Sequence, residues 1–264
     1  MIIDNVNIAT VYLATLLQGG LEAVLQYPKI KKPVSNDWAE HDGLEVDLSS
    51  PKLDSKGIDL NLLIDETKID LFITFLLAKT YRVYHFSKLN TSFKLRFSGI
   101  SDIEKIQGKC FIKLKLENDA PLKDYVYSVP NLTASSYNYT VDNVDISTYG
   151  IVPLQGSKDG LEGALNTKDK LEIKSNYTSG VKVAEQISKK QENKAILNLF
   201  MNQSTANFLK GYNAFLYNLI QPNARVLVAN GKTYNFYYES SKISDLVVSE
   251  GKVWCKFSLN IVTI

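Results

Sequence analysis

The sequence predicts a mainly β fold of the α+β kind, built as two similar units in tandem, each a set of antiparallel strands with one helix against them. Three observations predict it. Most of residues 4–116 recur, in order, as residues 142–259. Strand-like alternation of apolar and polar side chains dominates both copies. One stretch in each copy changes to the period of an amphipathic helix.

The repeat is legible residue by residue. Asp4-Asn5-Val6-Asn7-Ile8-Ala9-Thr10 returns as Asp142-Asn143-Val144-Asp145-Ile146-Ser147-Thr148, an offset of 138. Leu17-Gln18-Gly19 returns as Leu154-Gln155-Gly156, and Leu60-Asn61-Leu62 as Leu197-Asn198-Leu199, offset 137. From Arg82-Val83, matched by Arg225-Val226, the offset holds at 143 through Phe93/Phe236, Ile100-Ser101-Asp102/Ile243-Ser244-Asp245, Gly108-Lys109/Gly251-Lys252 and Leu116/Leu259. Matches that keep one order while the offset drifts by a few residues indicate a doubled domain; the period is too long for a solenoid of short repeats. The units are assigned to residues 1–118 and 141–264. Residues 119–140, rich in Tyr, Ser, Asn and Pro, are a linker or an extended arm, with Tyr125, Val126 and Tyr127 expected to dock on a sheet.

The elements follow in order. Leu44, Val46 and Leu48 alternate with Glu45 and Asp47, as in a half-buried strand. Ile58, Leu60, Leu62 and Ile64 form a second such face. Ile69, Phe72, Ile73, Leu76 and Leu77 then take helical spacing, and so do Phe208, Tyr212, Phe215, Leu216 and Leu219, with Ser204 or Thr205 as cap and a stop near Pro222. Arg225–Val228 and Thr233–Tyr238 flank Asn230-Gly231, a type I′ hairpin signal, because both turn residues need positive φ. Ser87 and Lys88 occupy that place in the first unit and predict another loop geometry. In the last strands Cys110, Ile112, Leu114 and Leu116, and then Val253, Cys255, Phe257, Leu259 and Ile261, point inward. Strands with one apolar face need a cover, so sandwich or small-barrel packing is expected.

Composition narrows the function. A hydrophobic share of 45% with 22% charged residues suits a globular chain. A formal net charge of +2 gives no strong field for gripping nucleic acid or an acidic membrane. The basic clusters at Lys29, Lys31 and Lys32 and at Lys189 and Lys190 read as solvated faces. The start of the sequence has no signal-peptide pattern, and no apolar run approaches a membrane span, so no membrane insertion is expected.

The sequence offers little chemistry. Two cysteines, Cys110 and Cys255, sit in the inward sets and read as buried thiols. Glu40-His41-Asp42 is the most tempting cluster, but neighbours along a strand face opposite ways, and Tyr177, Thr178 and Ser179 replace it in the second unit. His85 alternates with Tyr84 and Phe86 and reads as a packing or surface residue. Asp142-Asn143-Val144-Asp145 lacks the glycine and closing Glu of a calcium loop. No catalytic, cofactor-binding or metal-binding residue is assigned, and no cofactor is expected. Tyr234, Tyr237 and Tyr238, or Tyr137 and Tyr139, are candidates for sugar-stacking platforms or subunit contacts.

Ile3-Asp4-Asn5-Val6-Asn7-Ile8 with Thr10 and Tyr12, its second copy Val144-Asp145-Ile146-Ser147-Thr148-Tyr149-Gly150, and Asn36-Asp37-Trp38-Ala39-Glu40-His41-Asp42-Gly43-Leu44-Glu45-Val46-Asp47-Leu48 carry a family resemblance. Followed by strands, a helix and three more strands, they resemble the tail-tube-type modules of tailed bacteriophages, as in distal tail and baseplate hub proteins. The second unit has no tryptophan at the Trp38 position. The resemblance implies two tandem tail-tube-like β-sandwich or barrel modules whose sheets line a ring of six modules. It implies a non-enzymatic structural component of a phage or prophage tail, assembled in the host cytoplasm into the virion. Its partners would be copies of itself and other tail proteins, with DNA only passing through the channel. Two modules per chain fill such a ring as a trimer, or stack two rings as a hexamer. The alternative expectation, drawn from tyrosine richness, is a surface carbohydrate-binding or adhesive β-sandwich protein.

Overall fold

The alternating segments of each half assemble into one seven-stranded antiparallel sheet in the computed structural model. The structure describes residues 1–163, 167–170, 172–177, 179–183 and 187–264. The first sheet uses β1 (Ile2–Ile3), β2 (Val6–Asn7), β3 (Thr15–Leu16), β4 (Lys56–Asp65), β5 (Tyr81–Phe86), β6 (Thr91–Ile106) and β7 (Lys109–Asn118). The second uses β8 (Tyr139–Val141), β9 (Val144–Asp145), β10 (Ile151–Pro153), β11 (Asn193–Ser204), β12 (Arg225–Ala229), β13 (Lys232–Ser249) and β14 (Lys252–Thr263). Strand order is β2-β1-β5-β6-β7-β4-β3 in the first and β9-β8-β12-β13-β14-β11-β10 in the second, the same path taken twice. With 45% of residues in strands and 18% in helices, the fold is mainly β.

The inward faces are those the alternation marks. Ile58, Leu60, Leu62 and Ile64 of β4 pair across to Leu116, Leu114, Ile112 and Cys110 of β7, and all are buried. In the second sheet Ala195, Leu197, Leu199 and Met201 meet Ile261, Leu259, Phe257 and Cys255. Each long strand, β6 and β13, breaks register twice against its neighbour. Such bulges increase the local twist and bend the hairpin.

Neither sheet closes into a barrel among the described residues. Each ends on edge strands of only two or three residues, too short to pair around a circumference. The expected single helix per unit is also an undercount. Besides α2 (Ile69–Leu77) and α4 (Thr205–Leu219), short helices α1 (Gly20–Leu25) and α3 (Ser157–Glu162) follow Gly19 and Gly156, which take φ of 94° and 90°. These one-and-a-half-turn helices are too short to show a clear 3.6-residue period. In α4, Ser204 caps Asn207, and Phe208, Tyr212, Phe215, Leu216 and Leu219 are buried against β11, β13 and β14. In α2, Ile69, Phe72 and Leu76 are buried but Leu77 is 66% exposed, because the helix ends there.

Hairpin chemistry agrees with the sequence. Asn230 and Gly231 both have positive φ, as a type I′ turn requires, and so do the pairs Asp4-Asn5, Asp142-Asn143, Gln107-Gly108 and Glu250-Gly251. The Ser87–Asn90 loop is longer and buries Leu89. The expected strand at Leu44–Leu48 shrinks to Glu45–Val46, paired with Ser35–Asn36. Leu48 is buried all the same, and its carbonyl accepts from the Asn223 amide of the second half at 2.7 Å.

A duplicated clamp ties each opening hairpin to the end of the long helix. Asp4 accepts from the Val83 amide and pairs with Arg82 at 2.7 Å; Arg82 also donates to the Phe75 carbonyl and lies over the Phe75 ring. Asp142 accepts from the Val226 amide and pairs with Arg225 at 2.9 Å, and Arg225 donates to the Pro222 carbonyl. Burial would raise the Asp4 carboxyl, but the Val83 amide, Lys79 and Arg82 outweigh it and hold it below the usual carboxylate range. Its contribution is therefore full above the ordinary carboxylate pKa and is lost as pH falls through the lowered one. Arg82 is 4% exposed and Arg225 13%. Asp4→Ala is therefore expected to cost about 2 kcal/mol and Asp142→Ala about 1 kcal/mol, read by denaturant unfolding, because the more deeply buried guanidinium suffers more from losing its carboxylate.

Candidate assembly surfaces

The two halves interlock through a strap, residues 26–55, that leaves the first half and lies on the second. Tyr27, at the end of α1, is 3% exposed, and its ring sits 4.0 Å from that of Tyr212, with Tyr238 and Phe257 edge-on. Its hydroxyl donates to the Tyr212 carbonyl, and its amide donates to Ser241 Oγ at 3.0 Å. Burial holds the phenol well above its ordinary pKa, so it stays a donor. Tyr238 returns a bond from its hydroxyl to the Pro28 carbonyl at 2.7 Å, and the Ile30 amide donates to Glu239 O at 3.1 Å. These contacts make one continuous apolar core from the two sheets.

The tip of the strap ends in a clasp. Gly43 N donates to Lys190 O at 2.9 Å, and Lys190 N donates to Asp42 Oδ1 at 2.7 Å. Lys168, 7% exposed, donates to the carbonyls of Trp38 and Gly43 at 2.9 and 2.6 Å and pairs with Asp37. A buried ammonium is tolerated because acceptors surround it. The Lys190 amide and nearby lysines lower the Asp42 carboxyl.

The His41 cluster lies at this tip. Glu40 and His41 are exposed, and Asp42 serves the Lys190 backbone. Thr178, the counterpart of His41, lies outside the described residues. His85 faces outward and contacts Ser92 Oγ at 3.1 Å. Both cysteines are buried, and burial pushes the Cys255 thiol up to about 12, which disfavours the reactive thiolate. Among the described residues no group of His, Cys, Asp and Glu side chains is placed to hold a metal ion. Tyr238 and Tyr139 are buried and cannot serve as stacking platforms; Tyr137 is exposed.

The 119–138 arm docks on a helix, where a sheet was expected. Tyr125 and Tyr127 pack on Tyr217 of α4, with centroids at 5.7 and 5.1 Å. Lys210 reaches the Pro130 carbonyl, and the Leu132 amide bonds to Thr148 O. Tyr217 is partly exposed on α4, so its ring offers the arm a flat apolar surface that strand patterning gave no reason to expect.

Comparison with models of known families and with characterised proteins finds no match to this chain. Two open grooves run along seams between the halves. One of about 560 Å³ lies between Thr15–Gln18 and Leu246–Val248, and another of about 690 Å³ between Ser87–Asn90 and Ser249–Gly251. Neither gathers convergent titratable side chains.

One buried amine has a testable consequence. Lys56 opens β4, and its amine is enclosed where it donates to the Val24 carbonyl, although part of the residue reaches solvent. Burial lowers it to about 7. Between that value and the ordinary lysine pKa the unfolded chain holds the extra proton, so stability rises with pH from about 7 to about 10.5. Lys56→Met is expected to flatten this rise in thermal midpoint and to be more stable than the parent near pH 7. A parallel pH dependence in both proteins would remove Lys56 as its source.

Proposed function

We propose that this chain is a structural component of a phage or prophage tail, of the distal-tail or baseplate-hub kind. In this reading each sheet with its helix is one tail-tube-like unit, and copies close into a ring around a DNA channel. The observation that supports it is the repetition of one sheet order twice in a single chain, in the halves whose opening and strap residues carry the resemblance. A unit that meets the next through a different surface from the one it presents makes a heterologous contact, and such contacts close into rings. The strap is a contact of that type inside the chain.

Two units per chain fill a six-unit ring as a trimer; six chains stack two such rings. A chain of net charge +2 lets DNA slide without gripping it, and no binding to particular DNA sequences belongs to this reading. The role involves no catalytic step or cofactor. Its further partners are other tail proteins, and its place is the virion tail after assembly in the host cytoplasm. No helix among the described residues is long and apolar enough to cross a membrane.

The test is solution mass together with negative-stain imaging of the full chain. Rings of three or six copies with a central channel are expected. A strict monomer at high concentration would sink the reading.

A further inference from the structure

The strap of the first half has a counterpart in the second, and the two correspond register for register. Its base is an isolated bridge, Ile30 to Leu53; the second half has Thr167 to Lys190, each residue 137 positions later. Lys31 N donates to Lys52 O, and Lys168 N to Lys189 O, both at 2.7 Å and again 137 apart. The strap hairpin pairs Ser35 with Val46 and Asn36 with Glu45; the second pairs Glu172 with Val183 and Ile173 with Lys182. Gly43 and Gly180, at the same offset, both take positive φ, 68° and 81°.

The first hairpin is occupied; the second, over its described residues, is exposed. The tip of the first clasps the base of the second strap through Gly43, Asp42 and Lys168. The hairpin Glu172–Val183 is exposed throughout its two strands, with Ile173, Val181 and Val183 about half exposed and Tyr177 97% exposed. Of the surface that would receive it, the base of the first strap, Ile30 is buried against the second half, while Leu53 is partly exposed. Lys31 is exposed, whereas its counterpart Lys168 is buried in the clasp. A second copy of this chain supplies both missing pieces at once.

We infer that the hairpin Glu172–Val183 of one copy clasps the Ile30–Leu53 base of the next, repeating between chains the contact the first hairpin makes within one. Gly180 N then donates to Leu53 O, Ser179 stands where Asp42 accepts a backbone amide, and Lys31 donates to the carbonyls of Ser175 and Gly180. Val181 and Val183, now about half exposed, lose water as far as their partly buried counterparts Leu44 and Val46 have done. One difference sets the strength. The counterpart of Asp37 is Lys174, so the ion pair of the intrachain clasp is not reproduced, and the contact between chains is weaker and depends on concentration. Because donor and acceptor surfaces differ, the contact is head-to-tail and propagates until it closes.

This inference rests on the ring reading, and the experiment separates the two. The full chain is examined by solution mass across concentration, and backbone hydrogen exchange of Glu172–Val183 is followed in the same samples. A Ser179→Cys/Leu53→Cys pair is oxidised beside an intrachain control, Asp42→Cys/Lys190→Cys. Assembly with slowed exchange in the hairpin and a cross-link between chains, against one within the chain for the control, is the expected result. Lys31→Glu should weaken the association about tenfold. Assembly in which the hairpin exchanges as fast as in the dilute monomer overturns the clasp and leaves the ring reading standing. A chain that stays monomeric at every concentration overturns both.

Discussion

Tyr27→Ala is expected to destabilise the protein by about 4 kcal/mol and to split its unfolding into two transitions. The magnitude follows from truncating a fully buried aromatic side chain, which costs roughly 3–5 kcal/mol. The residue keeps 3% of its surface exposed and touches three rings of the second half. The hydroxyl contributes the smaller share. Tyr27→Phe keeps the packing, loses only the bond to the Tyr212 carbonyl, and should cost about 1 kcal/mol. The splitting has a separate cause. Each half retains its own seven-stranded sheet, so weakening the contact between them lets one unfold before the other. Calorimetry with tyrosine fluorescence as a second probe checks this. A single transition at the parent midpoint would show that the strap does not couple the halves.

Gly211→Ala is expected to cost about 3 kcal/mol, even though alanine is the better helix former. A Cβ at Gly211 would land on the carbonyl oxygen of Tyr149 and come within 2.8 Å of Leu132 Cδ1. The nearer obstacle is backbone, in the 3₁₀ turn Ile146–Tyr149 that α4 lies against, so neither side yields cheaply. Overpacking typically costs roughly 1–3 kcal/mol; a clash with backbone belongs above that range, at about 4 kcal/mol, and a propensity gain of about 1 kcal/mol offsets part of it. Here the clash wins, because the added atom has no free volume at all. For a chain of this length about 3 kcal/mol lowers the thermal midpoint by roughly 6–12 °C. Gly57→Ala is the control. Its Cβ meets only Glu117 Oε1 at 3.6 Å, and it should be neutral or slightly stabilising. Equal midpoints for Gly211→Ala and the parent would mean that α4 can slide away from the turn.

Reading the halves against each other made some of the contacts within the chain legible. The match of Asp4 with Asp142 and of Arg82 with Arg225 marked four residues as shared, but nothing in the spacing said that each Asp meets its Arg. They come together only because β1 pairs with β5, and β8 with β12. The clasp lysine was hidden for a different reason. Lys168 and Lys31 look alike in a sequence, each polar and in a turn-rich stretch, yet one is buried among carbonyls and the other open. Trp38 stood out only as part of a motif; its indole donates to Glu45 across the strap hairpin, while its carbonyl serves Lys168.

The sequence by itself determined which faces of β4, β7 and β14 turn inward, that Asn230-Gly231 reverses a hairpin, and that one order of segments recurs. These properties depend on residues near one another in the chain, such as Asn230-Gly231 or the alternation from Ile58 to Ile64, and local sterics and hydrophobic periodicity suffice to decide them. The tertiary structure alone decided that the first half reaches across to the second, that α4 is covered by both strap and arm, and that the described residues of the second hairpin are left exposed. Those contacts join residues as far apart as Tyr27 and Tyr212, separated by 185 positions. An apolar side chain specifies that it must be covered, and the three-dimensional path of the backbone specifies by what.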